Sequence, residues 1–335
     1  MTLADWGYTG PAHLPNGCEP ARVIGTWGDY YRIVCQAGEG VARKKASAYH
    51  ADPSAPRPTT GDYVAVRWNP HGESRIFSTL PRTSVFERAA TGSSGRRAQT
   101  VAVNFDTLFF LMSLNKNFNV RRLERFLALG RGTGADVVVL LTKCDLTGGP
   151  DTPETQAYFQ EARAHAGETP IYVISAKERI GLDQLAPYVQ PRRTLACVGS
   201  SGVGKSSLVN ALAGEEIMPT LEIREWDAKG RHTTTERELV RLPSGVLVID
   251  TPGMREIGLW EADAGIADTF SDIEALAATC RFSDCRHETE PGCAVKAARA
   301  DGTISEDRWA AYRRLKDEAA HVERPKASST HRYRR

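Results

Sequence analysis

A glycine-rich loop carries the clearest chemistry in this chain. Gly199, Gly204, Lys205 and Ser206 match all four fixed positions of the pattern G-x-x-x-x-G-K-[ST]. Glycines let the backbone fold tightly, so that successive N–H groups and the start of the next helix point at phosphate oxygens. The lysine of such a loop reaches the β- and γ-phosphates, and the following hydroxyl ligates Mg²⁺. We expect nucleotide contacts from the whole loop, namely Gly199, Ser200, Ser201, Gly202, Val203, Gly204, Lys205, Ser206 and Ser207.

The flanking elements favour this interpretation over a glycine/serine turn that happens to contain a lysine. Apolar residues 195–198 predict a buried strand before the loop, and residues 208–212 predict a helix after it, which is the context that the motif requires. Further upstream, an apolar strand is predicted from 101–103 and 107–112, a helix at 120–129, and two more strands at 136–141 and 171–174. Strand, helix and strand at this spacing predict βαβ units and a parallel sheet.

The strand at 136–141 runs into Thr142, Lys143, Cys144 and Asp145, which resemble the [NT]-K-x-D motif of the GTPase superfamily. One carboxylate can accept hydrogen bonds from both the ring N–H and the exocyclic amine of guanine, and adenine presents nothing equivalent. We expect Asp145 to be that carboxylate and the stem of Lys143 to lie over the base. Thr142 stands where the superfamily most often has Asn, so one contact to the base or to the phosphate loop is expected to be missing.

The strand at 171–174 runs into Ser175, Ala176 and Lys177, which resemble the S-A-K motif of the same superfamily. The backbone N–H of Ala176 is expected to donate to the guanine carbonyl oxygen. Either motif alone is weak evidence, because a surface turn can have the same residues. Two of them at strand ends, together with a phosphate loop, indicate a guanine nucleotide site.

The order of these motifs is unusual. An ordinary GTPase has the phosphate loop first, whereas here both guanine motifs precede it. Residues 230–235, Gly-Arg-His-Thr-Thr-Thr, and 250–253, Asp-Thr-Pro-Gly, come later and resemble the first switch and the D-x-x-G motif. Because loops at the carboxyl ends of a parallel sheet form one crevice whichever connection is cut, a circular permutation is physically permissible.

With this permutation in view, residues 22–315 resemble one family, the circularly permuted, ribosome small subunit-dependent GTPase A family (RsgA, also called YjeQ). The resemblance rests on a β-rich segment before the GTPase motifs, on residues 230–235, on Asp-Thr-Pro-Gly-Met-Arg-Glu at 250–256 and on a cysteine cluster after it. It implies a GTP hydrolase that the 30S subunit stimulates and that acts in late maturation of that subunit. The implied partners are GTP or GDP, the 30S subunit and 16S rRNA.

The resemblance also assigns roles in hydrolysis. Asp250 is expected to hold Mg²⁺ through water, the Gly253 N–H to contact the γ-phosphate, and Thr234 to ligate Mg²⁺ and close the first switch. Met254 stands where many GTPases have the glutamine that orients water, so intrinsic turnover is expected to be slow. His232 is the candidate catalytic residue beside Lys205 and Thr234, the alternative being a switch histidine that packs against RNA or solvent. Arg231 and Arg255 fit either arginine fingers or contacts to rRNA phosphate.

Cys280, Cys285, His287 and Cys293 form a closed ligand set of three sulfurs and one imidazole. Such a set is typical of structural zinc, because catalytic zinc keeps an open position. We expect one structural Zn²⁺ here, besides Mg²⁺ with the nucleotide.

A helical stripe follows, and basic residues surround it, namely Arg308, Arg313, Arg314 and Lys316. The stripe is expected to pack on the zinc module. The basic face and the tail are candidates for rRNA contact. The stripe consists of Trp309, Tyr312, Leu315, Ala319 and Val322.

Residues 22–80 contain short alternating runs that predict a small all-β barrel, with strands at 22–25, 30–34, 61–68 and 75–77. Five-stranded barrels of the OB type commonly bind nucleic acid, although the pattern also fits other small barrels. Four aromatic side chains could stack on bases or fill the core, namely Trp27, Tyr30, Tyr31 and Trp68.

Composition adds limits to this interpretation. At 335 residues, with 41% hydrophobic residues and a net charge of +2, the chain resembles an ordinary soluble protein of two or three domains. No apolar run is long enough for a membrane span and no secretory signal is present, so we expect a cytoplasmic monomer without membrane contact.

Residues 89–100 predict a mobile linker. The expected domains are 1–88 (extension and OB-type RNA-binding barrel), 98–265 (permuted P-loop GTPase with a parallel sheet), 266–322 (helical zinc module) and 323–335 (basic tail).

Two other functions fit the same motifs. One is a nucleotide-gated RNA- or ribosome-binding protein, in which GTP sets the conformation and hydrolysis is incidental. The other is an ATP-using P-loop enzyme, for which replacing Asp145 with Asn leaves nucleotide choice unchanged.

Overall fold

The structure is a computed structural model that describes residues 2–10, 14–51, 55–89, 98–115, 118–200, 202–218, 237–249, 269–282 and 285–321. In the described part, an N-terminal barrel precedes a central sheet covered by helices, and a small helical module follows. The fold class predicted from the sequence is therefore confirmed. No described helix combines the length and the apolar character needed to cross a membrane.

Five strands form the closed barrel in the order β1-β2-β3-β5-β4. Their bounds are β1 Glu19–Trp27, β2 Tyr30–Cys35, β3 Gly38–Lys44, β4 Tyr63–Arg67 and β5 Ser74–Thr79. A short helix, α1 (Ala46–Ala51), connects β3 to β4, and β3 pairs in parallel with β5 to close the barrel. The barrel is thus of the OB type. The sequence prediction omitted β3 and α1.

Alternate residues of these strands fill the barrel. Val64 and Val66 of β4 are fully buried in its core beside Val23 and Ile33. A bulge in β1 lies between Val23 and Gly25, and the intervening Ile24 is buried instead in the core cluster that contains the helices of the GTPase sheet. Bulges commonly re-aim a side chain in this way. The barrel wall therefore contributes to two separate cores.

A two-stranded antiparallel sheet follows the barrel, made of β6 (Val85–Ala89) and β7 (Ala98–Val103). The sequence prediction of a linker over 89–100 was wrong at both ends, because Ala89 ends β6 and Ala98 begins β7. It was also wrong to join 101–103 to the next strand, since β7 pairs with β6 and not with the central sheet. Phe86 of β6 is fully buried in the core shared with the GTPase helices.

The central sheet has six strands in the order β10-β9-β8-β11-β13-β12, of which β12 alone pairs antiparallel. Their bounds are β8 Thr107–Ser113, β9 Asp136–Thr142, β10 Ile171–Ile174, β11 Thr194–Val198, β12 Leu239–Arg241 and β13 Leu247–Ile249. Every residue of β8 is buried, as expected for a strand covered on both faces. Phe110 packs on one side of the sheet, whereas Phe109 and Leu111 pack on the other.

Helices on this sheet begin and end at recognisable residues. They are α2 Val120–Arg131, α3 Pro153–Ala166 and α4 Lys205–Ala213. Asn119 caps α2 by accepting the N–H of Arg122, and Thr152 caps α3 by accepting the N–H of Thr155. Phe126 of α2 stacks on Phe110 of β8, with ring centroids 3.8 Å apart, and so fixes α2 on the sheet.

The C-terminal module consists of α5 (Ser271–Ala277), α6 (Ala294–Ala300) and α7 (Glu306–His321). Trp309, Tyr312 and Leu315 of the predicted stripe are buried. The basic residues around the stripe are paired with carboxylates: Arg308 with Asp272, Arg313 with Glu288, Arg314 with Glu124 and Lys316 with Glu274. Three of these pairs join α7 to α5 or α2, so these cations are already engaged with carboxylates of the protein.

Arg22 lies fully buried where the barrel meets the central sheet. Its guanidinium donates to the Trp6 carbonyl, to Asn104 O at 2.9 Å and to Thr194 Oγ1 at 3.0 Å. The Tyr63 ring lies 4.7 Å from its Cζ atom. Burial lowers the pKa of Arg22, which is the signature of a cation held in a poorly solvated site. The N-terminal segment, the barrel and β11 are all joined through this one side chain.

We expect Arg22→Ala to lower the free energy of unfolding by about 3 kcal/mol or more, because four hydrogen bonds to backbone or hydroxyl acceptors are lost inside the protein. Arg32→Ala is the matched control, since Arg32 pairs with Glu238 at 3.6 Å with both side chains partly exposed. An exposed pair contributes at most about 1 kcal/mol. Urea denaturation of both variants makes the comparison, and equal losses would contradict the role assigned to Arg22.

Candidate guanine nucleotide and metal sites

The predicted nucleotide residues meet at one edge of the central sheet. Strands β9, β10 and β11 end at Thr142, Ile174 and Val198, and Ile174 pairs directly with Thr142. Because the strands are parallel, the loops after them open on the same side. The structure therefore brings the phosphate loop and both guanine motifs together at one edge of the sheet.

The phosphate loop has close backbone packing at its first glycine. A Cβ atom on Gly199 would lie 2.7 Å from Leu111 O and 2.9 Å from Val203 Cγ1, so only glycine fits. Gly202 has φ of 74° and Gly204 has φ of 103°, which are conformations that side chains disfavour. The pattern of glycines in the motif thus corresponds to real backbone constraints.

Lys205 begins α4 directly after the loop. Its ammonium donates to Gly199 O at 2.8 Å and to Ser200 O at 3.0 Å, so the charge lies over the loop. Ser206 and Ser207 follow in the first turn of α4, where free N–H groups and the positive end of the helix dipole favour phosphate. This arrangement suits the binding of a polyphosphate.

Asp145 is oriented by the second guanine motif. Ser175 is fully buried, and its hydroxyl donates to Asp145 Oδ1 at 2.6 Å. Ser175 is itself held by a pair of backbone hydrogen bonds with Ile180. The carboxylate that is predicted to read guanine is thus fixed by a short hydrogen bond, and the sequence analysis did not foresee this contact.

Lys143 and Cys144 form the turn that presents Asp145. Lys143 has φ of 64°, a left-handed conformation that turns the chain sharply after β9. Cys144 is buried beneath the turn, and burial, reinforced by the charge of Asp145, raises the pKa of its thiol. Cys144 is therefore a neutral packing residue. Ala176 and Lys177 follow Ser175 at the same edge, with Lys177 exposed.

Thr142 is in direct contact with the phosphate loop. Its hydroxyl donates to the Val203 carbonyl of the phosphate loop at 2.7 Å, and the side chain is buried. The contact between this motif and the phosphate loop is therefore present. The guanine-reading loop and the phosphate loop are joined directly.

Several predicted site residues lie outside the described residues. These are Ser201, His232, Thr234, Asp250 and Gly253, together with Arg231, Met254 and Arg255. The roles assigned to these residues stay predictions.

A cluster of metal-ligating side chains lies in the C-terminal module. The ligand atoms of Cys280, Cys285, His287 and Cys293 all lie within 4.8 Å of one another. Cys280 Sγ is 3.8 Å from Cys293 Sγ, and His287 Nδ1 is 3.4 Å from Cys293 Sγ. Tetrahedral zinc with Zn–S bonds of about 2.3 Å separates two sulfurs by about 3.8 Å. The residues present therefore fit a tetrahedral metal ion.

Burial and neighbouring groups shift the pKa values of the cluster residues in both directions. Burial lowers the pKa of His287, which favours the neutral imidazole. Burial acts to raise the pKa of Cys280, but the backbone N–H groups of Val295 and Ala294 outweigh it and the pKa is lowered. Burial and then the adjacent sulfurs raise the pKa of Cys285 to about 11, a crowding that a divalent cation relieves.

The neighbouring elements hold these ligands in place. Cys293 caps α6, where its sulfur accepts the N–H of Lys296 at 3.3 Å. The edge of the His287 ring meets Trp309 of α7, with ring centroids 5.8 Å apart. The predicted packing of the helical stripe on the cysteine cluster is thereby confirmed at Trp309.

Comparison with known proteins decides the family. Residues 79–260 match the family model described as RsgA GTPase. The chain is 40% identical to "Small ribosomal subunit biogenesis GTPase RsgA 2" of Listeria monocytogenes, over 96% of this chain and 90% of that protein. It is 44% identical to the "Small ribosomal subunit biogenesis GTPase RsgA" of Opitutus terrae, over 97% and 91%.

The chain belongs to the RsgA GTPase family. As a member of the RsgA GTPase family, it is a GTP-hydrolysing enzyme, and the structural comparison agrees. YloQ, described as "a circularly permuted GTPase", superposes with a TM-score of 0.59 at 27% identity, over 92% of this chain and 98% of that one. YjeQ from Thermotoga maritima has the same fold, with a TM-score of 0.66 at 24% identity, over 90% and 99%. The permuted motif order is therefore a property of this RsgA fold.

Two substitutions test the separate roles of Thr142 and Asp145 in the guanine site. Thr142→Val preserves shape but leaves the Val203 carbonyl without its donor, so GDP affinity is expected to fall about tenfold with guanine preference unchanged. Asp145→Asn instead is expected to relax the preference for GDP over ADP. Fluorescence titration with labelled GDP, competed with unlabelled GDP and ADP, measures both. A loss of preference in Thr142→Val would contradict this division of roles.

Proposed function

We propose that this protein is a GTP hydrolase that the small ribosomal subunit stimulates, and that it acts in late maturation of that subunit in the cytoplasm. The observation that carries the proposal is the joined nucleotide site: Ser175 fixes Asp145, and Thr142 ties the guanine-reading turn to the phosphate loop. The names of its relatives, as GTPases of small ribosomal subunit biogenesis, support the choice of partner. The protein acts as a monomer that contacts 16S rRNA.

Hydrolysis in this proposal uses residues from the phosphate loop and the switches. Lys205 would neutralise charge on the transferred phosphate. Ser206 and Thr234 would ligate Mg²⁺ and Asp250 would hold it through water, and the ion would supply Lewis-acid stabilisation. The Gly253 N–H would contact the γ-phosphate. His232 positions the attacking water, since Met254 cannot accept or donate the required hydrogen bond.

The C-terminal cluster holds one structural zinc ion in this proposal. Three sulfurs and one imidazole complete a tetrahedral shell and leave no open position for substrate. The ion's role is to fix the irregular segment between α5 and α6, whose own apolar core is small. The ring contact of Trp309 with His287 then fixes α7 against this segment.

Subunit dependence is tested by measuring GTP turnover with and without purified 30S subunits. We expect slow intrinsic turnover, on the order of 10⁻⁴ s⁻¹, and a large acceleration by 30S. His232→Ala is expected to lower the stimulated rate by about 10²-fold or more with GDP affinity unchanged. His71→Ala, at an exposed barrel position, is the control. Unchanged turnover with 30S would favour the nucleotide-gated binding protein instead.

Metal content is tested by elemental analysis together with limited proteolysis. The wild-type chain is expected to bind one zinc per molecule, and Cys285→Ser to lose it and expose residues 269–321 to protease. GDP affinity is expected to stay within about twofold, since the described nucleotide residues lie at the carboxyl ends of the central strands, whereas the cluster lies in the helical C-terminal module. Cys18→Ser, a cysteine outside the cluster, serves as the control. Full zinc content in Cys285→Ser would exclude this ligand set.

A further inference from the structure

Threonine hydroxyls lie under the turn that presents Asp145. Thr147 ends the short 3-10 helix, Cys144–Thr147, that contains Asp145. Thr152 caps α3, and Thr155 follows in the first turn of that helix. Thr155 is fully buried and Thr147 is nearly so. Neither the guanine motifs nor the phosphate loop includes these threonines, and the hydrolysis chemistry proposed above does not use them.

The three hydroxyls form one continuous hydrogen-bond network. Thr147 Oγ1 lies 2.6 Å from Thr155 Oγ1. Thr155 Oγ1 lies 2.7 Å from Gly149 O, and Thr152 Oγ1 lies 2.8 Å from Thr147 O. Because each hydroxyl has one proton, all three contacts form together when Thr147 donates to Thr155. These contacts join the turn after β9 to the beginning of α3.

This threonine network holds the backbone on both sides of Asp145. Cys144 O accepts the Gly149 N–H at 2.9 Å, which closes the loop of residues 144–149. Thr147 Oγ1 also lies 3.0 Å from Cys144 O. Asp145 is therefore part of a small closed loop, whose two ends are joined to each other and whose later half is bonded to α3.

Helix α3 gives this loop a fixed frame. Ala162 and Ala166 of α3 are fully buried in the core that also contains α2. The Tyr158 ring packs on Phe118, just before α2, with ring centroids 4.8 Å apart. A hydroxyl in the first turn of α3 therefore connects the guanine-reading turn to the packed layer of helices.

The supports of Asp145 act on different parts of the residue. Ser175 fixes the carboxylate, whereas the threonine network fixes the backbone. A carboxylate that accepts two N–H groups from the edge of a planar base needs both supports, because hydrogen bonds weaken steeply as their angle departs from linear. A small rotation of the turn would keep one contact to the base and lose the other.

We propose that Thr147 and Thr155 are positioning residues for guanine recognition, because they hold the turn where Asp145 reaches the ring N–H and the exocyclic amine together. The proposal deepens the proposed function and rests on it for the role of Asp145. Inosine diphosphate (IDP) keeps the ring N–H of guanine and lacks the exocyclic amine. The ratio of GDP affinity to IDP affinity therefore reports on the second contact alone.

The test measures GDP and IDP affinities of the full chain by competition with labelled GDP. Thr155→Val keeps the shape of the side chain and removes its hydroxyl, whereas Thr155→Ser keeps the hydroxyl. Thr133→Val is the matched control, since Thr133 is also buried and donates to Gly130 O at 2.6 Å. Thr133 lies between α2 and the amino end of β9, whereas Asp145 follows the carboxyl end of that strand.

We expect Thr155→Val to lower GDP affinity about tenfold and the GDP/IDP affinity ratio at least about threefold. Thr155→Ser and Thr133→Val are expected to stay within about twofold of wild type in both quantities. Thr147→Val should match Thr155→Val, and the double variant should lose much less than the product of the two single losses, because both remove one shared contact. Urea denaturation is expected to show similar losses of stability in Thr155→Val and Thr133→Val.

Three outcomes would overturn the proposal: equal losses of GDP and IDP affinity in Thr155→Val, the same fall in the ratio in Thr133→Val, or no recovery in Thr155→Ser. Asp145→Asn, measured in parallel, separates this failure from a failure of the site assignment. An unchanged ratio in Asp145→Asn would refute the role of Asp145 and this proposal with it. A lower ratio in Asp145→Asn with an unchanged ratio in Thr155→Val would refute the role of the threonines alone.

Discussion

The buried guanidinium of Arg22 is the constraint on which the arrangement of domains depends. A fully buried cation is destabilising unless most of its N–H groups find acceptors. Here the acceptors come from the N-terminal segment, from the turn before β8 and from the first residue of β11, Thr194. Because these segments satisfy one side chain together, none of them can shift without leaving a donor unpaired inside the protein.

This constraint reaches the nucleotide site through a single strand. Arg22 contacts Thr194 at one end of β11, and the phosphate loop begins directly after the other end. Thr194 is further fixed by Asp106, whose carboxylate accepts the Thr194 N–H at 2.7 Å. The barrel and the phosphate loop are therefore attached to opposite ends of one five-residue strand. The phosphate loop is also held by the hydrogen bond from Thr142 of the first guanine motif to the Val203 carbonyl.

Local motifs account for what the sequence could predict. The phosphate loop, the guanine motifs and the Cys₃His cluster are short segments whose chemistry depends on residue type and spacing, and strand ends in a parallel sheet converge by geometry. Residue type and spacing are therefore enough to identify the candidate residues of each motif. The roles of His232, Thr234 and Asp250 stay predictions, as do the domain boundaries.

Contacts between distant segments account for what the sequence could not predict. Nothing local marks Arg22 as buried, since arginine is ordinarily a surface residue. The hydrogen bond from Thr142 to Val203 joins residues from different loops, so residue type alone could not decide whether threonine keeps the contact to the phosphate loop. Strand β3 was not predicted, because its glycines and charged residues obscure the alternation of polar and apolar side chains. Its place in the barrel comes from strand pairing, including parallel pairing with β5.

The strand order has a consequence for the chain as it is synthesised. β8, β9 and β10 are made first and can pair, but the other edge of β8 is covered only by β11. Until residue 198 has left the ribosome, the wholly apolar interior of β8 has an unpaired edge, and such edges invite pairing with other chains. Because the phosphate loop follows β11 directly, the strand that closes this edge also brings the phosphate loop to the sheet. A chain whose synthesis stops before β11 can neither bind nucleotide nor pair the second edge of β8.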